Sequence, residues 1–235
     1  MNLILLFKKD FIDSQRVRIT GRRLEHVKKV HKASKGDTLE VGLINSNMGT
    51  GEVTKITSSS LEMDVILTKQ PPAPIPLTLI LALPRPKMFK RILQTITTLG
   101  VKKIYLINSW RVEKSFWKSP AMEKENLEKE LILGLEQAKD TMMPEIFIKR
   151  LFKPFVTKEL PKIAKNSLAL TAHPKTELLC PRNVKQDTML AMGPEGGFID
   201  IEIKTFERAG FKTVSLGKRI LRTETAVPVL ISRLF

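Results

Sequence analysis

The chain has 235 residues, with 40 Lys and Arg against 24 Asp and Glu and a formal net charge of +16 at pH 7. Such an excess favours a polyanionic partner, above all nucleic acid, over an acidic small molecule. The length suits a small domain joined to a larger one, the single cysteine, Cys180, excludes a disulfide or a Cys-based zinc site, and no apolar run reaches the roughly 18 residues of a spanning helix.

The start, Met1–Phe7, is too short and too uncharged at its front for a signal peptide, so a cytoplasmic protein is expected. Residues 1–35 concentrate charge, with ten Lys and Arg against Asp10, Asp13 and Glu25. Short β-branched or alternating runs at Val17–Thr20, Thr38–Ile44, Gly51–Thr57 and Leu61–Leu67 predict antiparallel strands of a small barrel. Gly49, Gly51 and Ser58-Ser59-Ser60 serve as separators, and one helix over Arg22–His31 interrupts the strands. His26 and His31, five apart on that helix, do not share the face that metal ligands need, and no metal is assigned.

Pro71-Pro72-Ala73-Pro74-Ile75-Pro76 forms neither helix nor central strand and marks the boundary. Beyond it, Leu77–Leu83 is a continuous apolar strand. Phe89, Ile92, Leu93, Ile96 and Leu99 then recur at helical spacing up to Gly100, before a second apolar run at Ile104–Ile107. That is a βαβ unit with a buried parallel pair. A longer helix is expected to start with Ser119 as its cap, with Leu127, Leu131, Leu135 and Ala138 as its apolar stripe. Strands at Glu145–Lys149, Ser167–Ala172, Thr188–Met192 and Thr213–Leu216 follow, with helices at Thr157–Ala164, Asp200–Ala209 and Thr223–Leu234.

Two glycine-rich segments carry the chemistry. Gly193-Pro194-Glu195-Gly196-Gly197-Phe198 and Leu216–Ala226 each follow an apolar run and precede a helix, so both belong to the ligand-binding edge of an open α/β sheet. Neither matches a dinucleotide fingerprint or a phosphate-binding P-loop. In the second, Thr223 is placed to cap the last helix, Ile220 and Leu221 offer apolar surface for an adenine ring, and Arg222 offers a guanidinium for a developing anion, while Arg219 reads as a solvated charge.

Together these two segments resemble the small-subunit ribosomal RNA uridine-N3 methyltransferases (the RsmE type) of the SPOUT superfamily. Glu136-Gln137 with Pro144-Glu145, and Gly21–Asp37, are similar to further family segments, so the resemblance spans nearly the whole chain. It departs at Gln94–Gly100, at Lys139 and in the aromatic stretch Ser109–Trp117.

The resemblance implies a PUA-like, RNA-binding β-barrel over residues 1–70, a linker over 71–76, and a SPOUT α/β domain with a deep trefoil knot over 77–235. It also implies a homodimer that binds S-adenosylmethionine in the knot and acts on ribosomal RNA in ribosome biogenesis. Cofactor binding falls on Thr171, His173, Gly193, Gly196, Gly197, Leu216, Gly217, Ile220, Leu221 and Ala226. Arg222 is expected to stabilise the uridine anion, with Glu136 and Glu195 as candidate bases. Arg16, Arg18, Arg22, Arg23, Lys28 and Lys29 are the expected phosphate contacts. Two other readings stay open: a methyltransferase for another RNA base or a ribose 2′-hydroxyl, and a non-enzymatic RNA-binding assembly factor. Trp110 and Trp117 suit either base stacking or core packing, and Cys180 has no neighbour that would activate a thiol.

Overall fold

The computed structural model describes residues 2–235, which divide into two compact units. One comprises the chain through Ala73 together with Ile132–Met143, and the other comprises Pro74–Leu131 and Pro144–Phe235.

The first unit is a five-stranded half-barrel in the order β1-β3-β4-β5-β2. Its strands are β1 (Ile4–Leu6), β2 (Arg16–Ile19), β3 (Thr38–Leu43), β4 (Met48–Ile56) and β5 (Leu61–Lys69), antiparallel except for the parallel pair of β1 with β3. Period-2 alternation puts Val17, Ile19, Val41, Val53, Leu61 and Met63 on one buried face. β1 lies outside the strands predicted from the sequence: its run Leu3-Ile4-Leu5-Leu6 does not alternate. Both faces of β1 are covered: Ile4 and Leu6 pack in the barrel core, while Leu3 and Leu5 pack with Met48 and Leu135.

Gly49 and Gly51 lie inside β4 rather than separating strands. At Gly49 a Cβ would sit 1.8 Å from the Ile66 carbonyl oxygen, so the register shift between Met48 and Thr50 needs glycine there. The expected helix is α1 (Gly21–His26), continued by a π-helical turn over Val27–His31. Its wider turn brings residues five apart onto one side, and the His26 and His31 rings meet edge to face at 5.2 Å, contrary to the expectation that they diverge. Among the described residues no group of three potential metal ligands forms.

Residues 132–143 are tied to this half-barrel through polar contacts. The amides of Asn2 and Leu3 donate to the Glu136 carbonyl, Asn45 donates to that of Thr141, and Lys139 pairs with Glu40. The Glu136 carboxylate, 1% exposed, accepts both terminal nitrogens of Arg22 at 2.8 Å.

The second unit is a six-stranded, wholly parallel sheet in the order β11-β9-β10-β6-β7-β8. The strands are β6 (Leu77–Ala82), β7 (Lys103–Ile107), β8 (Glu145–Lys149), β9 (Leu168–Ala172), β10 (Thr188–Met192) and β11 (Lys212–Val214). β6 and β10 are central and read as unbroken apolar runs, as strands covered on both faces must. The helices are α2 (Pro86–Thr98), α3 (Lys124–Ala138), of which residues 132–138 belong to the first unit, α4 (Phe152–Pro154), α5 (Leu160–Ile163), α6 (Asp200–Arg208) and α7 (Thr223–Leu234), with a π-helical turn over Phe155–Glu159 joining α4 to α5. Phe89, Ile92, Leu93 and Ile96 form the buried stripe of α2. Ser119 caps a 3-10 turn at Pro120–Met122 rather than the long helix, and α3 begins five residues later. The last strand is shorter than expected, because Ser215 leaves the ladder to pair with Leu178 and Cys180. The Cys180 thiol is buried and its pKa is pushed up to about 11, so it stays protonated.

Arg22→Ala leaves a buried carboxylate without its cation, so the first unit should lose about 2–3 kcal/mol, with Arg22→Lys recovering only part because the bidentate geometry is lost. Hydrogen exchange at the amides of Leu3–Leu6, followed with urea titration, reads this out directly. Both tryptophans lie in the second unit and serve as the internal control.

Candidate active site

The loops after β9, β10 and β11 close around a cavity of about 440 Å³ at the carboxyl edge of the parallel sheet, within the size range of small-ligand sites. Of the residues expected to hold a cofactor, His173, Gly193, Gly196, Gly197, Leu216, Gly217, Ile220, Leu221 and Ala226 all line it. Thr171 does not: it lies within β9, wholly buried, with a hydroxyl that has no hydrogen-bond partner. Ile220 is 81% exposed at the cavity and supplies apolar surface to whatever enters.

The turn after β10 is built by close backbone approach. A Cβ on Gly193 would lie 2.8 Å from the Phe198 amide nitrogen and 3.0 Å from Gly197 Cα, while Gly197 itself has φ +72°. Phe198 then anchors the turn in an aromatic cluster, 5.1 Å from the Phe206 ring, which also meets Phe152 and Phe211. The second loop turns at Gly217, φ +111°, and runs out to α7.

At the start of α7, Arg222 rather than Thr223 is the cap residue; its carbonyl accepts the amides of Thr225 and Ala226, and Thr223 is the buried first residue of the helix. Arg222 is exposed and sits between Leu221 and Thr223, both of which line the cavity. Glu195 lines it too, and its Oε1 accepts the Arg85 amide at 3.0 Å. Glu136 belongs to the first unit and is not among the lining residues.

Arg111, Lys175, Asp200 and Arg219 also line the cavity. Of these, Arg219 was expected as a solvated charge, and the other three were not expected at the site. The Arg111 guanidinium donates to the Gly196 carbonyl, and its aliphatic stem lies where a Cβ on Gly196 would be. Arg111 comes from the loop after β7, whose place is fixed by Glu202: this buried carboxylate accepts the Trp110 amide at 2.8 Å and the Ile199 amide at 3.0 Å. A Glu at the third position of a helix is the signal that a sequence reading could have used.

His173 has its pKa lowered, first by burial and then by Lys175, with a hydrogen bond to the Phe198 carbonyl as a partial offset; its Nδ1 accepts the Lys175 amide at 3.2 Å. The imidazole is therefore neutral at neutral pH.

The expected phosphate contacts are already engaged within the first unit. Arg16 pairs with Asp64, Arg18 with Glu62, Arg22 with Glu136 and Lys29 with Glu25, while Lys28 reaches the carbonyls of Thr57 and Ser58 at 3.5 Å. Arg23 is mostly buried against Asp10 and also donates to the Leu5 carbonyl.

The RNA methyltransferase domain family matches residues 71–235, more than half of the chain. The chain belongs to this family. It is 30% identical over 232 residues to the Ribosomal RNA small subunit methyltransferase E of Treponema pallidum, covering 96% of this chain and 87% of that protein. The protein of the same name from Synechocystis is 27% identical over 221 residues, covering 93% and 72%. Among solved structures, a Ribosomal RNA small subunit methyltransferase E from Neisseria gonorrhoeae bound to S-adenosyl methionine superposes with a TM-score of 0.76 at 21% identity, covering 99% of this chain and 95% of that one. That likeness speaks for the fold.

Gly193→Ala should cost about 1–3 kcal/mol by forcing backbone against backbone, and should abolish ligand binding at the cavity, as calorimetry on the purified variant will show. Acid sensitivity follows from His173. Its folded pKa lies below the ordinary 6.5, so the stability it contributes is complete above 6.5 and is lost as the pH falls from there toward the folded value. His173→Gln should flatten the fall in melting temperature between about pH 7.5 and about pH 5.5.

Proposed function

We propose that this chain transfers the methyl group of S-adenosylmethionine to N3 of a specific uridine in the 16S RNA of the small ribosomal subunit. The observation that carries the reading is the cavity itself, in which both glycine-rich segments meet Ile220 and Leu221 beside Arg222. The curated relatives, each named a small-subunit ribosomal RNA methyltransferase E, support the target.

The residues present suit the methyl donor. Ile220 and Leu221 offer apolar faces to a flat base, the glycine turns offer main-chain groups, and Asp200, Lys175 and Arg219 match a ligand end carrying both an ammonium and a carboxylate. S-adenosylmethionine supplies an electrophilic methyl group on a sulfonium. A neutral His173 adds no positive charge against that cation.

Uridine N3 carries an imide proton that must leave, and it lies on the pairing edge, so the base has to be unpaired or flipped out first. The protein's own task is to position N3 and to stabilise the anion that deprotonation leaves on the imide. Arg222 takes the second role at O2 or O4. Glu195 is the better candidate base, since it faces the cavity, whereas both oxygens of Glu136 are held by Arg22.

We read the half-barrel as a PUA-like RNA-binding domain over residues 1–70, residues 71–76 as its linker, and residues 77–235 as a SPOUT domain. A trefoil knot fits the way Ser215, just before the α7 loop, is bonded to both Leu178 and Cys180. The active form is a cytoplasmic homodimer; among the described residues no helix is long and apolar enough to cross a membrane. Arg16, Arg18, Lys28 and Lys29 are exposed and can exchange a weak surface partner for phosphate.

The test is to incubate the protein with labelled S-adenosylmethionine and small subunits lacking the modification, then identify the labelled nucleoside. We expect 3-methyluridine. Label in another base or on a ribose would keep the methyltransferase and reject the target, and no label despite cofactor binding would favour an assembly factor. Arg222→Ala should lower transfer about 100- to 1000-fold with folding and cofactor affinity preserved; an active variant removes it from this role.

A further inference from the structure

The loop after β7 carries features that the cavity chemistry does not use. Trp110 is 79% exposed, an unusual state for the largest apolar side chain, yet its backbone is pinned by the buried Glu202 carboxylate. Trp117, by contrast, is occupied: its indole N–H donates to Asn108 Oδ1 at 2.9 Å, and the Arg150 guanidinium covers its ring at 5.2 Å. The Asn108 amide in turn donates to the Lys149 carbonyl, so the ends of β7 and β8 are joined and Arg150 is held beside the loop.

This edge is cationic and unneutralised. Residues 108–118 hold Arg111, Lys114 and Lys118 against Glu113 alone, and among the described residues neither lysine nor Arg150 has a carboxylate partner. In the first unit five of the six expected phosphate contacts are already ion-paired. An exposed aromatic on a fixed backbone among cations without carboxylate partners has the makings of a single-strand platform, with a π-face for a base and charges for the flanking phosphates.

We propose that the Ser109–Lys118 loop grips single-stranded RNA, with Trp110 stacking on an unpaired base next to the target nucleotide and Lys114, Lys118 and Arg150 contacting phosphates. Proximity to the reaction follows from the chain: Arg111, the next residue, forms part of the cavity wall. The platform rests on the RNA-methylation reading and names how that site holds its substrate. Charge complementarity selects RNA over a protein partner, because a protein docking on Trp110 would have to cover three cations that have no carboxylate partner.

The experiment uses the full chain and a short uridine-rich single-stranded RNA as probe. In a Trp117→Phe background Trp110 is the sole tryptophan, and its emission should be quenched by the single strand and not by the same sequence in a duplex. Trp110→Ala should weaken RNA binding about tenfold while Trp110→Phe retains most of it, with S-adenosylmethionine affinity unchanged in both. Lys114→Gln with Lys118→Gln should make the salt dependence shallower by about two phosphates. In turnover on small subunits, Trp110→Ala should raise KM more than it lowers kcat.

Unchanged RNA affinity in Trp110→Ala, or Trp110 emission that responds to protein concentration and not to RNA, overturns the platform. These outcomes are separable from the fate of the reaction itself. If 3-methyluridine forms but Trp110→Ala behaves as wild type, the platform alone fails; if Trp110 binds RNA and no methylation occurs, the platform stands and the uridine-N3 reading fails.

Discussion

The carboxylate of Glu202 is the interaction on which the working edge of the sheet depends. It lies near the start of α6, where the helix dipole favours negative charge, and it accepts two amides, one from the turn before its own helix and one from the loop after β7. A buried carboxylate is costly without such partners, and two charge-assisted bonds of normal length offset that cost. The consequence is geometric. β10 and β7 are not neighbours, since β6 runs between them, yet the loops that follow them are locked together and share the wall formed by Arg111 and Gly196. An exposed tryptophan and a ligand cavity thus become features of one rigid edge.

The net charge of +16 is not evenly available. In the half-barrel, carboxylates take most of the arginines, and the cost of exchanging them differs from pair to pair. Arg23 and Asp10 are both largely buried, and breaking them apart would strand a charge; Arg16 and Asp64 are about half exposed, where water screens the pair and a phosphate can replace the carboxylate. The basic excess in the sequence therefore overstates the first unit as an electrostatic surface and understates the loop after β7, whose cations have no competitors.

How much of this the sequence carries depends on whether the determining contacts are local. The alternation of β2 and β5, the 3.6-residue stripe of α2 and the apolar runs of β6 and β10 are legible because each element's pattern reflects the faces it buries. β1 was not legible, because its second face is covered by residues 132–143, more than a hundred positions away. Glu136 reads as a candidate base or a structural carboxylate in the sequence alone; that both its oxygens are bonded to Arg22 is a long-range contact no local pattern carries. Periodicity carries no information about a knot or a dimer; both are expectations that enter only through resemblance. Most of the cavity was legible, since nine of the ten cofactor residues that the resemblance implies line it. The Arg111 wall was not, because the bond that places it runs from residue 202 to residue 110.

What the Gly193–Phe198 motif specifies also differs from what such motifs are usually taken to mean. Gly193 is required by the protein's own backbone, which would fill the space of a Cβ before any ligand arrives. Gly196 leaves room for the Arg111 stem, a flexible side chain that could shift, and Gly197 is favoured by its positive φ. Gly193 and Gly197 thus answer to internal constraints, and the cavity is what remains when the turn has folded that tightly. A ligand that binds there meets a surface already fixed by the Phe198 anchor and the Glu202 clamp, so little ordering entropy is left to lose on binding. Such preorganisation is what methyl transfer demands, because two reacting atoms must be held in line and the protein contributes alignment more than chemistry.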